Sequence, residues 1–199
     1  MNKIIEIFSE SIDLKIKIID GAYLNSILEI GEIISQSVQQ GNKLMLCGNG
    51  GSAADAQHLA AEMLVRLRPN NNREGIPAIA LAQDTSTITA CGNDFGYDML
   101  YERVLRSLGK KGDCLIGITT SGNSKNVILA MKAAQEIGIN VFGFLGCKGG
   151  GALKYCDEAF IVPSDDTGRI QEAHITAGHA LMEYIEDSLL ASGYLHLQD

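Results

Sequence analysis

Five short apolar runs, at 43–47, 78–82, 113–118, 141–145 and 158–163, recur along the chain, and most lead through a turn rich in glycine or hydroxyls into a stretch of helical length. Each run is almost continuously apolar instead of alternating with polar residues. That pattern marks strands buried on both faces, and strands joined through helices pair in parallel. It predicts an α/β fold, a three-layer sandwich with a central parallel sheet. The covering helices fall from the glycine turn to about Leu67, then at 98–108, 125–137 and 169–190, with a short one near 152–155 and a turn-rich stretch at 91–97. In such folds ligands bind beyond the C-terminal ends of the strands.

Ahead of the first strand, residues 3–19 and roughly 22–40 carry isoleucine and leucine at helical spacing, and the first of these helices is apolar on more than one side. A single domain over residues 1–199 is expected, with 1–40 as a helical segment that contacts another copy of the chain. The isoleucine-rich start is interrupted by Lys3, Glu6, Glu10, Asp13, Lys15 and Lys17, which excludes a signal core or a membrane span there. A net charge of −8 argues against nucleic acid or an anionic membrane as partner. Five scattered cysteines with no C-x-x-C pair suit a reducing compartment, and a cytoplasmic location is expected. The polar segment 66–75 is the expected mobile loop, able to cover a site, and the tail 193–199 is expected to fray.

Residues 47–62, CGNGGSAADAQHLAAE, join a glycine turn to a helix on which His58 and Glu62 stand four residues apart and so share a face. As an arbitrary pair they would be a surface contact worth a few tenths of a kcal/mol. Their place one turn after a glycine loop favours a site. The turn formally fits G-x-G-x-x-G/A, but no acidic residue follows at the distance a dinucleotide site needs, and no G-K-S/T is present. Residues 119–124, TTSGNS, gather four hydroxyls before a helix, where free N–H groups and the helix dipole favour a phosphate monoester. The bland alternative is that Ser121 or Asn123 caps that helix. On the last helix Gln171, Glu172, His174, His179 and Glu183 are polar candidates, and spacing does not choose between His174 and His179.

Four motifs in register, residues 47–62, CGNDFG at 91–96, TTSGNS at 119–124 and RIQEAH at 169–174 followed by His179, resemble those of the bacterial phosphoheptose isomerases, single-domain members of the sugar isomerase (SIS) family. The resemblance covers most of 41–190. It implies the flavodoxin-like SIS fold, a homotetramer with active sites at subunit interfaces, and interconversion of sedoheptulose 7-phosphate with glycero-manno-heptose 7-phosphate on the way to nucleotide-activated heptose for lipopolysaccharide or capsule. It implies one Zn2+ per subunit on His58, Glu62, Gln171 and His179, with Glu62 as catalytic base and His179 as acid. Substrate contacts then fall on Asn49, Gly50, Gly51, Glu62, Asn93, Asp94, Thr119, Thr120, Ser121, Ser124 and Gln171. Thr119 replaces the usual serine but keeps the hydroxyl, and Ala61 stands where relatives often carry a second carboxylate.

Gln171 and His179 would lie about 12 Å apart along a continuous helix. The helix begins after Gln171, or the long side chains converge, or the set is completed across subunits. The rival from another class is a non-catalytic SIS-domain regulator that binds the replication initiator protein, which AADAQH at 53–58 also resembles. Those relatives generally lack the carboxylate at the position of Glu62 and the histidine at that of His179.

Overall fold

The computed structural model describes residues 2–81 and 84–198. Two N-terminal helices, α1 (Lys3–Asp20) and α2 (Asn25–Gln39), are joined by a single 3-10 turn at Ala22–Leu24. The chain then runs β1 (Leu44–Gly48), α3 (Gly51–Leu64), β2 (Ala78–Ala80), α4 (Thr85–Asp94), α5 (Leu100–Leu108), β3 (Cys114–Thr119), α6 (Lys125–Ile137), β4 (Asn140–Gly146), β5 (Glu158–Val162) and α7 (Thr167–Ala191). The sheet has the order β2-β1-β3-β4-β5 and every pairing is parallel. Connections from β1 run one way and those from β3 the other, so the switch point lies between these two strands. Their C-terminal ends carry the glycine turn and the hydroxyl loop.

Alternate residues of each strand feed two cores, as the two-residue period of a strand requires. Leu44, Leu46, Ile116, Phe142, Phe144 and Phe160 pack against α2, α3 and α7, whereas Met45, Cys47, Leu115, Val141 and Leu145 pack against α5 and α6. Three layers result, as the apolar runs predict. Only Leu14 and Ile18 of α1 are buried, while Ile4, Ile5, Phe8, Ile12, Ile16 and Ile19 are exposed, Phe8 by 67%.

Four expectations change. The stretch at 91–97 is not all turn, because Cys91–Asp94 close helix α4, whose start is capped by the Asp84 carboxylate accepting from the Thr87 N–H at 2.7 Å. Its sequence of threonine, serine, glycine and asparagine has poor intrinsic helix propensity, so the cap and packing of Cys91 supply what composition does not. The second strand ends at Ala80 instead of 82, and residue 82 is outside the described residues. Helix α3 stops at Leu64, and the following segment is fastened: Arg68, Asn71 and Arg73 all bond to Glu186 of α7. The tail does not fray at Leu195, which is buried, or at Leu197 and Gln198. Leu197 forms an antiparallel bridge with Arg73, and the Gln198 N–H donates to the Asn72 carbonyl at 2.7 Å.

Candidate active site

Helix α3 presents Asp55, His58 and Glu62 on one face, at spacings of three and four. Helix α7 runs beside it. Its early Gln171 lies over Gly51, where a methyl group would overlap the Gln171 amide, and its His179 meets His58 further along. Glycine at 51 therefore leaves the room that the Gln171 side chain of α7 takes up at the start of α3. The two imidazole Nε2 atoms are 2.8 Å apart and the rings meet edge to face at 67°. Glu62 Oε1 lies 3.4 Å from His58 Nε2.

Helix α7 is continuous from Thr167, so the reading in which it begins after Gln171 is wrong. The eight-residue separation is met instead by two contacts at different heights on α3: Gln171 at Gly51 and Asp55, His179 at His58. Asp55 links the two. Burial pushes its carboxyl above the ordinary range, against the pull of a hydrogen bond to Gln171 and of the neighbouring His58 and His179. Its Oδ2 is buried without a hydrogen-bond partner. Sequence reasoning passed over Asp55, although its spacing from His58 and Glu62 was the available signal. The other candidate histidine points inward: His174 bonds the Leu145 carbonyl through Nε2 at 3.1 Å, beside the Phe144 and Phe160 rings, and burial drives its pKa down to about 4.

The donor set suits a divalent cation in kind. Two imidazole nitrogens face one another beside a carboxylate, and an unpartnered Asp55 oxygen lies in the same neighbourhood. Among the described residues, no three His, Cys, Asp or Glu side chains are gathered as a finished metal cage.

The glycine turn is held from behind. Asn49 and Asn126 exchange amide hydrogen bonds at 2.8 and 2.9 Å, the Tyr97 hydroxyl donates to Asn49 Oδ1 at 2.8 Å, and the Tyr101 hydroxyl donates to the Gly48 carbonyl. Tyr97 and Asn126 carried no motif signal, because neither is near Asn49 in the chain. Gly50 opens α3 at φ +58 with clear space around it. Cys47, just before the turn, is buried and its thiol is pushed up to about 12, which removes it as a nucleophile.

In the hydroxyl loop Thr119 Oγ1 lies 3.0 Å from Ser124 Oγ and 3.5 Å from Ser121 Oγ. Ser124 is the N-cap of α6, yet its side chain makes no capping bond, and Ser121 accepts from the Asn123 N–H instead. The capping alternative thus fails for both residues named, since Asn123 is tied to the Gly151 N–H at 2.9 Å. Gly122, at φ +67, packs so tightly on the Gly149 carbonyl that no side chain fits. Thr120 contributes its carbonyl to a weak contact with the Cys147 thiol. Asn93 and Asp94 bond to each other at 2.8 Å and are exposed; Asp94 also lines a groove between α4 and α5.

The chain combines a 2-1-3-4-5 parallel sheet with a hydroxyl loop after β3 and a His–Glu helix after β1, and it belongs to the SIS domain family, whose model matches residues 8–146. Within that family it falls among the phosphoheptose isomerases. It is 52% identical over 180 residues to the phosphoheptose isomerase of Clostridium acetobutylicum, spanning 90% of this chain and 91% of that one. The phosphoheptose isomerase of Aquifex aeolicus is 46% identical over 187 residues, 94% of this chain and 96% of that one. The solved phosphoheptose isomerase of Neisseria gonorrhoeae superimposes with a TM-score of 0.87 at 40% identity, covering 93% of this chain and 97% of that one.

Proposed function

We propose that this isomerase interconverts sedoheptulose 7-phosphate and glycero-manno-heptose 7-phosphate, at the entry to activated heptose for lipopolysaccharide or capsule. The observation that carries the reading is the meeting of His58 and His179 beside Glu62, together with the Thr119, Ser121 and Ser124 hydroxyls gathered in the loop after β3. A phosphate at the start of α6 would receive those hydroxyls and the free N–H groups of the helix, at a position where the dipole favours an anion. Asn49, Gly50 and Gly51 then line the path of the sugar, with Asn93 and Asp94 at its edge.

Aldose–ketose isomerisation moves a proton between C1 and C2 and a second proton between their oxygens. Glu62 takes the carbon-bound proton from C1 of the ketose and returns it to C2, leaving the carbonyl at C1. His179, held by its contact with His58, exchanges the oxygen-bound proton. The negative charge of the intervening enediolate is greatest when neither oxygen is protonated, so donors aimed at those oxygens matter most. His58, His179, Glu62 and the amide oxygen of Gln171 would hold Zn2+. Bound there, zinc supplies Lewis-acid stabilisation of the developing oxyanion.

The exposed apolar face of α1 and the 48% exposure of the His58 side chain support self-association, with the site closed by a second subunit. The homotetramer and the cytoplasmic location rest on the motif resemblance and on the cysteine usage. The test is conversion of sedoheptulose 7-phosphate by the purified protein, with and without a chelator, alongside its mass in solution. Turnover that is lost on chelation and restored by zinc supports the whole reading. Absence of turnover, with replication initiator retained on a column of the protein, would sink it.

A further inference from the structure

The two helices that carry the site are joined a second time, at a buried arginine. Arg73 lies in the segment after α3 and is only 6% exposed. Its guanidinium donates Nη2 to the Glu62 carbonyl and Nη1 to the Met63 carbonyl, both at 3.0 Å, so it caps the C-terminal end of α3. The opposite edge donates Nε to Glu186 Oε2 of α7 at 2.7 Å. Glu186 is 1% exposed, and its other oxygen takes Arg68 Nε at 2.8 Å and Asn71 Nδ2 at 2.5 Å.

The placement matters more than the strength. Glu186 is seven residues after His179 and so lies on nearly the same face of α7, about 10 Å along the axis. On α3 the guanidinium grips the backbone of Glu62 itself, one turn beyond His58. Helices α3 and α7 are therefore fixed at two points, the histidine contact and the Arg73–Glu186 bridge, and two points determine both their slide and their relative rotation. A buried ion pair adds little net stability, because desolvation offsets most of the attraction; what it can supply is one geometry.

We infer that Arg73 and Glu186 are positioning residues for the isomerase reaction: they set the register of α3 against α7 and with it the approach of Glu62 to His179. The inference rests on the site reading above. Both would act through Glu62 and His179, since their own polar atoms are taken up by the bonds between the two helices and the segment after α3.

The experiment compares Glu186→Gln and Arg73→Lys with Asp113→Asn in the full-length protein, at a temperature where circular dichroism shows all three folded. Asp113 is a buried carboxylate paired with Lys43 at 2.5 Å, belongs to neither α3 nor α7, and serves as the control for lost stability alone. Glu186→Gln and Arg73→Lys are expected to lower kcat for sedoheptulose 7-phosphate by about 10- to 100-fold, as misplacement by an ångström does, with KM within about twofold because the phosphate loop is on other elements. Asp113→Asn should keep kcat within about twofold despite a lower melting temperature. Wild-type kcat in the Glu186 and Arg73 variants, or an equal loss in Asp113→Asn, overturns the inference. If neither buried variant folds, Arg68→Ala, which strips Glu186 of a partner but leaves Arg73 in place, decides: an intermediate loss of kcat supports it and wild-type kcat overturns it. Full activity in Glu62→Gln would instead bring down the site reading, whereas an inactive Glu62→Gln with an unimpaired Glu186→Gln removes the positioning role only.

Discussion

His58 Nε2 and His179 Nε2 lie 2.8 Å apart across 121 residues of chain, with the Glu62 carboxylate 3.4 Å from the first of them. When both are neutral one imidazole donates to the other, so the two rings hold opposite tautomers at Nε2 and a change in either ring disturbs the contact.

Glu62→Gln keeps the size of the side chain and removes its basicity. Turnover of sedoheptulose 7-phosphate should fall by about 10²- to 10⁴-fold, the usual contribution of a positioned base, while the melting temperature stays within a few degrees. Retained turnover in steady-state assays would remove Glu62 from the role.

Gly51→Ala places a methyl group where the Gln171 amide now lies. The amide must swing away from Asp55, and kcat should drop by about tenfold or more with the fold intact. A crystal structure of the variant with Gln171 unmoved would refute the packing argument.

Thr119→Val is nearly isosteric at a buried position and deletes the hydroxyl that faces Ser121 and Ser124. Loss of one hydrogen bond to a charged phosphate is worth roughly 1.5–3 kcal/mol, so KM should rise about tenfold or more with kcat little changed. Thr119→Ser should restore it. An unchanged KM would place the phosphate elsewhere.

Acid should weaken the fold through His174, whose pKa falls from 6.5 to about 4 on burial, partly opposed by its bond to the Leu145 carbonyl. The folded pKa is depressed, so between pH 6.5 and 4 the unfolded chain takes up a proton that the folded chain refuses. Stability is complete above 6.5, declines as pH falls through that window, and levels below about 4. The full effect is on the order of 3 kcal/mol. Urea melts at pH 7 and 4.5 should show a smaller difference in His174→Gln than in the wild-type protein; equal differences would exclude His174 as the source.

Much of the fold was legible because it is written in local periodicity. Continuous apolar runs announce buried parallel strands, and the i, i+4 placement of His58 and Glu62 follows from helix geometry alone. Helix α4 was not legible, since its residues are poor helix formers and depend on the Asp84 cap and on packing of Cys91. Nor was the fastening of Arg73 to Glu186, because a polar stretch looks the same in sequence whether it is solvated or clamped.

The sequence by itself determined the strands, the glycine turn, the hydroxyl loop and the pair on α3, all of which arise from neighbours within a turn or two. Only the tertiary structure decided which histidine of α7 faces that pair. His174 and His179 are five residues apart, about 140° around the helix, so one must point away when the other points in. The side of α7 that packs on the sheet buries His174 against β4 and leaves His179 to meet His58, a choice set by the long-range packing of the whole domain.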